Sequence, residues 1–395
     1  MEFTLTEEQI MLQSNIRKLA RELIIPDARE RDEKCQFPFE IIKHLAKLGL
    51  MGIIIPDKYG GAGMDYISYV LIIEELARAD ASTCISVAAH NSLCTNHIYI
   101  SGTEEQKKRY VVPLAKGEKL GAWALTESGA GSDAGGIQTT ARFRDGKWIL
   151  RGNKIFITHG SVADIYVINA KTDISKGSKG ISAFIVEKGN SNFSAGRIED
   201  KIGLRGSDTA ELILDDVAVP EENLLGRLNE GFSDILKVLE GGRIGIGALS
   251  VGIGRAGLEE SIKYSRERKQ FGQSISNFQA IQWMLSDMAT ELDAARLLVY
   301  RAAYLKNKGL PCTKESSMAK LYASETAMRA TTKAIQIHGG HGCIKEYPVE
   351  RYFRDAKICE VGEGTSEIQR LIIAREIIKG DAIKSLETPC SVLAE

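Results

Sequence analysis

Twice along this chain the apolar residues change their spacing, and those two changes constrain the fold more than any other feature. Up to about residue 120 they recur every three or four positions. Leu12, Ile16, Leu19 and Leu23 follow a Thr6-Glu7-Glu8-Gln9 capping box, the pattern of one helix face. Pro26 ends or bends that helix, Pro38 opens a second that carries Ile41, Leu45 and Leu48 to a stop at Gly49, and Thr103-Glu104-Glu105-Gln106 is another capping box. Between about 120 and 225 the period shortens. Asp145-Gly146 joins strand-like runs from Thr140 to Phe143 and from Trp148 to Arg151, a hairpin signal. Further strands are predicted at Ile165 to Ala170, Ile181 to Val186, Ala210 to Leu214 and Val217 to Val219. From about 229 the helical period returns: Ile281, Leu285, Met288, Leu292, Ala295 and Val299 form a stripe that suits a long bundle helix. Helix, sheet, helix in that order predicts an α+β architecture with segregated elements. No G-x-G-x-x-G run opens a helix after a strand, and no Walker A run is present.

With 395 residues the chain divides into two or three domains. Its 51 basic and 52 acidic residues leave a formal net charge of -1, which gives no global attraction for nucleic acid or an anionic membrane. Lys314 with Lys320, and Arg266, Arg268 and Lys269, read as local basic clusters only. The N-terminal residues lack the basic and apolar regions of a secretory signal, and no apolar run approaches the roughly 20 residues of a membrane span. The seven cysteines are odd in number, scattered and without a C-x-x-C pair, which points away from disulfides or zinc and towards a reducing cytoplasm. His338 and His341 form an H-x-x-H, but their glycine-rich setting argues against a metal site, and none is expected.

The run from Glu363 to Arg370 sets one carboxylate in a glycine-flanked turn ahead of the apolar helical stretch Leu371 to Ile378. Ser366 with Gln369 fits a capping box for that helix. Glu363 is therefore expected on a tight bend against the protein body, where loss of water raises its proton affinity and makes it a candidate base. The competing reading is a first-turn Glu that complements the helix dipole. Three other stretches carry candidate chemistry. Trp123 to Asp133 combines hydroxyls with flexible backbone that a ligand can approach closely, or is a plain glycine-rich connection. Gln336 to Gly342 suits a phosphate-rich ligand, or is a helix C-cap at Gly339. Arg268 and Gln279 flank a turn at Phe271-Gly272 and could serve a pyrophosphate or solvate a helix end.

Taken together these motifs resemble the acyl-CoA dehydrogenase family, most closely its short-chain, butyryl-CoA-like or short/branched-chain branch. The resemblance runs from Leu5 to Arg370. It rests on the Leu125-Thr126-Glu127 to Gly135 loop, Gly203 to Thr209, Arg266-Glu267-Arg268-Lys269-Gln270-Phe271-Gly272, the Gln336 to Gly340 turn and Glu363 to Arg370, all in the family's order. It implies an N-terminal helical domain (1–120), a middle antiparallel β domain (121–228) and a C-terminal four-helix domain (229–395), assembled as a homotetramer, a dimer of dimers. It also implies FAD between the middle and C-terminal domains. Trp123, Leu125, Thr126, Gly131, Ser132, Phe156, Ile157 and Thr158 would lie along the flavin, and Thr365, Ser366 and Glu367 would complete its contacts. Arg268, Phe271 and Gln279 of one subunit, with Gln336, Gly339 and Gly340 of a neighbour, would hold the pyrophosphate and adenosine. Ser132, Glu240, Arg243, Gly362 and Gly364 would meet the acyl-CoA thioester. Glu363 would remove the α-proton while the β-hydrogen leaves as hydride to the flavin, and electrons would pass on to electron-transfer flavoprotein.

Some family members carry the base immediately before the position matched by Arg243; here that residue is Gly242, which has no side chain to act. Two departures from the family pattern stand out. Gly362 replaces a Tyr common in straight-chain members, which predicts more room near the α-carbon and a branched or alicyclic acyl group. Phe156 stands where many relatives have Trp, and either ring offers a flat apolar face. An acyl-CoA oxidase or nitroalkane-oxidase-like flavoprotein, or a non-catalytic flavin-binding assembly factor of the same fold, are the alternative readings.

Overall fold

Capping boxes form at Thr6 and Thr103, where the sequence places them. In the computed structural model, which describes residues 4–379, the Thr6 hydroxyl accepts from Gln9 N and the Gln9 side chain accepts from Thr6 N. Helix α1 (Glu7–Leu19) starts there, continues as a π-type turn to Ile24 and stops before Pro26. Then come α2 (Ala28–Lys34), α3 (Phe39–Lys47), α4 (Tyr66–Ala79), α5 (Ala81–Ala89), α6 (Asn96–Ser101), α7 (Glu104–Gln106) and α8 (Val112–Ala115). Strands β1 (Gly121–Ala124), β2 (Thr140–Arg144), β3 (Lys147–Thr158), β4 (Ile165–Lys171), β5 (Ile181–Glu187), β6 (Phe193–Ile198), β7 (Thr209–Pro220) and β8 (Leu224–Leu225) follow. The rest is helical: α9 (Gly231–Glu267), a small hairpin of β9 (Lys269–Gln270) and β10 (Gln273–Ser274), α10 (Gln279–Asn307), α11 (Thr313–His338), α12 (Val349–Val361) and α13 (Ser366–Lys379). None of the described helices is long and apolar enough to cross a membrane.

By contacts the chain forms two compact units. The first comprises the described parts of Met1–Ile25, Tyr66–Ala81 and Arg243–Glu395. Its centre is α4, whose residues Tyr69 to Ala77 are all buried. Two consecutive buried carboxylates on it, Glu74 and Glu75, hold four arginines. Arg255 of α9 reaches both at 3.0 and 2.7 Å, Arg296 of α10 pairs with Glu74 at 2.8 Å, and Arg17 of α1 and Arg78 pair with Glu75 at 2.8 and 3.2 Å. Around α4, α9 exposes small residues for close approach: a Cβ on Gly252 would collide with the Glu74 carbonyl oxygen and with Ala77. The stripe predicted on α10 is buried at Met288, Leu292, Ala295 and Val299.

The second unit, Pro26–Asp65 with Ser82–Gly242, is built on a largely antiparallel eight-stranded sheet in the order β6-β7-β3-β2-β4-β5-β8, with β1 added in parallel to β4. The Asp145-Gly146 turn joins β2 to β3 with both residues at positive φ, as its sequence demands. β4 and β5 are apolar on both faces. Tyr166, Ile168 and Phe184 enter a cluster with Trp148, Leu150, Leu212 and Val217, whereas Ile165, Val167 and Ile185 pack on Tyr110, Val111 and Leu114 of the helical layer. Two predicted strands, 210–214 and 217–219, are one: β7 runs through Asp215 and Asp216 on a bulge between the Leu214–Gly152 and Val217–Leu150 pairings, with Asp216 at φ 56°.

Candidate active site

In the first unit α12 ends at Gly362, whose N–H bonds Ile358 O at 2.8 Å, and the next two residues turn left-handed: Glu363 at φ 55° and Gly364 at φ 96°. Such a φ is uncommon for a glutamate and marks a backbone that its surroundings must hold in place. Cap geometry corrects the sequence reading. The Thr365 hydroxyl, not that of Ser366, caps α13 by accepting from Ile368 N at 3.3 Å. The left-handed turn leaves the carbonyls of Glu363 and Gly364 in need of donors, and the Gln369 amide supplies them at 3.3 and 3.0 Å instead of closing a capping box. Ser366 Oγ and Gln369 Oε1 are left buried without protein partners.

Glu363 as a whole is half-buried, but its Oε2 is shut off from solvent and has no hydrogen-bond partner. This local desolvation pushes the carboxyl up to about 7, against the opposing charges of Lys320 and Arg243. Arg243 is buried on α9 with Gly242 buried beside it. The basic cluster read at Lys314 and Lys320 is not one: Lys320 is fully buried and donates to Gly364 O at 2.8 Å and Glu360 O at 3.2 Å.

The remaining candidates of this unit lie elsewhere. Phe271 tips the β9–β10 hairpin at φ 51°, 93 % exposed, with Arg268 and Gln279 exposed nearby in sequence. Gly339 is the C-cap of α11 at φ 59°, and Tyr264 of α9 stacks on His338 (centroids 4.2 Å apart) and bonds His341 through its hydroxyl at 2.9 Å. Gln336 and Lys320 share α11 but stand sixteen residues apart, about 24 Å at 1.5 Å per residue. One chain thus separates the Glu363 turn from the Gln336–Gly340 turn by most of a helix.

In the second unit the loop after β1 docks on the end of β3. Thr126 O accepts from Ile155 N at 2.9 Å, and Lys154, fully buried, donates to Leu125 O at 2.9 Å and pairs with Glu127 at 2.7 Å. Glu127 in turn accepts from Thr139 N at 3.0 Å. A bulge against β7 between Lys154 and Ile157 throws Phe156 outward, 60 % exposed at φ 56°. Trp123 donates its indole N–H to buried His97 at 2.9 Å. Thr126 and Thr158 are half-buried, Gly131 and Ser132 exposed. The side chains of Leu125 and Ile157 are different: both are buried in core clusters. Glu240 lies on α9 three residues before Arg243. Neither Lys154 nor Lys320 was singled out as a functional candidate. Their signal was phase: Lys154 continues the inward positions of Trp148 and Leu150, and Lys320 falls on the stripe of small buried residues Ser316, Ala323, Ala327 and Ala330.

A desolvated carboxylate on a strained turn between buried cations is an arrangement that can take up and release a proton near neutral pH. Family models place it more closely: the acyl-CoA dehydrogenase N-terminal domain matches residues 6–118, the middle domain 122–217 and the C-terminal domain 229–378. The chain is 49 % identical over 379 residues to a short-chain specific acyl-CoA dehydrogenase of Clostridium acetobutylicum, covering 96 % of this chain and all of that one. It is 48 % identical to the caffeyl-CoA reductase–Etf complex subunit CarC of Acetobacterium woodii, across 92 % of this chain and 97 % of that one. The structure of butyryl-CoA dehydrogenase from Megasphaera elsdenii superposes with a TM-score of 0.94 at 45 % identity, covering 96 % of this chain and all of that one. The chain belongs to the acyl-CoA dehydrogenase family, oxidoreductases that bind FAD.

Proposed function

We propose that this protein dehydrogenates a short-chain, branched or alicyclic acyl-CoA to the 2-enoyl-CoA, with Glu363 as the base that removes the α-proton. The observation that carries this reading is the Glu363 carboxyl, strained, desolvated and raised to about 7, where it can accept a proton near neutral pH. Proton loss next to a thioester needs its carbonyl polarised, and the Glu363 N–H is the donor this turn offers. Arg243, with Ser132, Glu240 and Gly364, binds the CoA thioester, and Gly362 leaves space beside the α-carbon.

Two features fit an FAD: the outward ring of Phe156 at a strand bulge, and the buried, unpartnered Ser366 hydroxyl beside the base turn. Trp123, Leu125, Thr126, Gly131, Ser132, Phe156, Ile157, Thr158, Thr365, Ser366 and Glu367 would hold its flavin end, Leu125 and Ile157 through their backbone. Arg268, Phe271 and Gln279, with Gln336, Gly339 and Gly340 of a second copy, would hold its adenosine end. Bound FAD supplies the hydride acceptor. The distance along α11 between Gln336 and Lys320 supports contribution by a neighbouring copy, and so does the exposed stripe of Trp283, Leu297 and Tyr304 on α10, which suits burial in a homotetramer. Electron-transfer flavoprotein is the proposed acceptor, supported by the similarity to an Etf-complex subunit.

Glu363→Gln keeps the shape of the side chain but cannot take the proton. Flavin reduction by butyryl-CoA, followed in stopped flow by its visible absorbance, is expected to slow by about 10²–10⁴-fold at unchanged FAD content. Reduction as fast as the parent's would remove Glu363 from the role.

A further inference from the structure

Burying an ammonium group is costly, and a residue that only fills space on α11 would be apolar. Lys320 is nevertheless fully buried, and its Nζ spans two backbone carbonyls. One belongs to Glu360, in the last turn of α12; the other belongs to Gly364, directly after Glu363. Between these anchors lies the left-handed turn, with Gly362 and Gly364 on either side of the carboxylate and Gln369 holding the inner carbonyls from α13. Gln369 ties the turn's inward carbonyls to the helix that follows it. Among the described residues, Lys320 is the side chain that ties both ends of the turn to a third element, the 26-residue α11.

We propose that Lys320 is a positioning residue for the base: by fastening the carbonyls of Glu360 and Gly364 to α11 it holds the Glu363 turn in its left-handed form, with a positive charge set beside the carboxylate. This deepens the reading of Glu363 as base and rests on it. The charged groups that act on Glu363 are Lys320 from α11 and Arg243 from α9; around Lys320 itself stand Cys359 and Glu360 at the end of α12 and Glu367 at the start of α13. Burial pushes the Cys359 thiol up to about 12, so it stays neutral, and Arg243 stays charged. Lys320 itself is pushed down to about 8 by burial, the carboxylates around it opposing the shift. Removing its charge therefore removes one of the two cations that restrain the Glu363 carboxyl.

The test compares Lys320→Met, Lys320→Gln and Lys320→Arg in the FAD-loaded enzyme, measuring flavin reduction by butyryl-CoA from about pH 6 to about pH 9. Lys320→Met is expected to slow the plateau rate by about tenfold or more through misplacement of the base. It should also move the acid limb upward by about one pH unit through loss of the cation. Lys320→Gln keeps a donor but no charge, so it should shift the limb with a smaller loss of rate. Lys320→Arg should return the limb to the parent position. A purely structural lysine would lower yield or FAD content and leave the limb where it is; that result, or a Gln variant that cannot fold at all, overturns the proposal. Glu363→Gln run in parallel separates the two readings. A fast Glu363→Gln defeats the base assignment itself. A slow one beside Lys320 variants that behave like the parent defeats only the role of Lys320.

Discussion

Glu363 occupies a backbone region that costs a non-glycine residue on the order of 1 kcal/mol or more, and the turn persists because Gln369 and Lys320 bond the carbonyls it turns inward. Its neighbour Gly362 is under no such constraint. Its φ of −63° suits any residue, and a Cβ there meets only the Ile358 carbonyl oxygen, at 3.4 Å. Gly362→Tyr is therefore expected to fold, and to narrow the space beside the α-carbon. For isobutyryl- or cyclohexanecarboxyl-CoA, kcat/KM should fall by about tenfold more than for butyryl-CoA. A loss shared equally by all three substrates would mean that the ring only disturbs the turn. The Glu363 turn and its glycines were legible in sequence because an acidic residue between two glycines before an apolar helical run has few structural uses. The cap was misread by one residue: Thr365 and Ser366 are both good caps, and only the left-handed turn before them decides which is used. Lys320 was hidden by its type, since a lysine near Lys314 looks like surface charge until the small residues at its helical spacing are noticed.

At the scale of the element, β3 carries two departures from a regular strand within three residues: a buried lysine at Lys154 and a bulge at Phe156. Lys154 and Glu127 tie the loop after β1 to that strand. Burial raises the Glu127 carboxyl, but Lys154 and the donors from Thr139 and Gln138 outweigh it and hold the group below the usual carboxylate range. Lys154→Met would leave Glu127 buried and without its cation, at a cost of about 3 kcal/mol or more. The urea midpoint should drop and FAD should be lost on dilution, because the freed loop carries Thr126, Gly131 and Ser132. Adding Glu127→Gln to Lys154→Met should recover most of the stability, since an amide oxygen still accepts from Thr139 N while no buried charge remains. If the single variant is as stable as the parent, the pair does not anchor the loop. The strands most easily read were β4 and β5, apolar on both faces, and the Asp-Gly hairpin. Among those missed were β1, only four residues long, β6, an edge strand exposed along most of its length, and the two-residue β8, β9 and β10. β7 was split in two because the pair Asp215-Asp216 looks like a turn, whereas the sheet absorbs it as a bulge.

Over the whole molecule the two changes of period announced helix, sheet and helix correctly. They could not show that α1 and α4 would make their contacts with the C-terminal helices, because that association runs through Glu74 and Glu75, acidic residues that no apolar pattern detects. The same blindness applies to the buried histidines, whose burial predicts how stability responds to acid. His90 is fully buried, accepting from Gly121 N through Nδ1 and meeting Leu114 O through Nε2, and burial pushes it down to about 3. His97 accepts from the Trp123 indole and is pushed down to about 4, again by burial. His159 and His338 are lowered by the same cause. In the unfolded chain each would titrate near 6.5. As pH falls from about 6.5 towards about 4.5, the unfolded state takes up protons that these folded histidines refuse, so stability falls with pH. Glu363 works in the opposite sense, since its folded carboxyl at about 7 binds a proton before the unfolded one does. His90 and His97 less Glu363 leave one net proton favouring the unfolded state, about 1.4 kcal/mol per pH unit, and His159 and His338 steepen it. Urea midpoints measured at fixed protein and FAD concentration should therefore decline steadily between pH 6.5 and 5, before the paired carboxylates Glu75 and Glu127 begin to protonate. His90→Gln retains an acceptor for Gly121 N and a donor for Leu114 O. Combined with His97→Gln it should flatten that decline by nearly two protons, and an unchanged slope would show that the acid sensitivity of the fold resides in other groups.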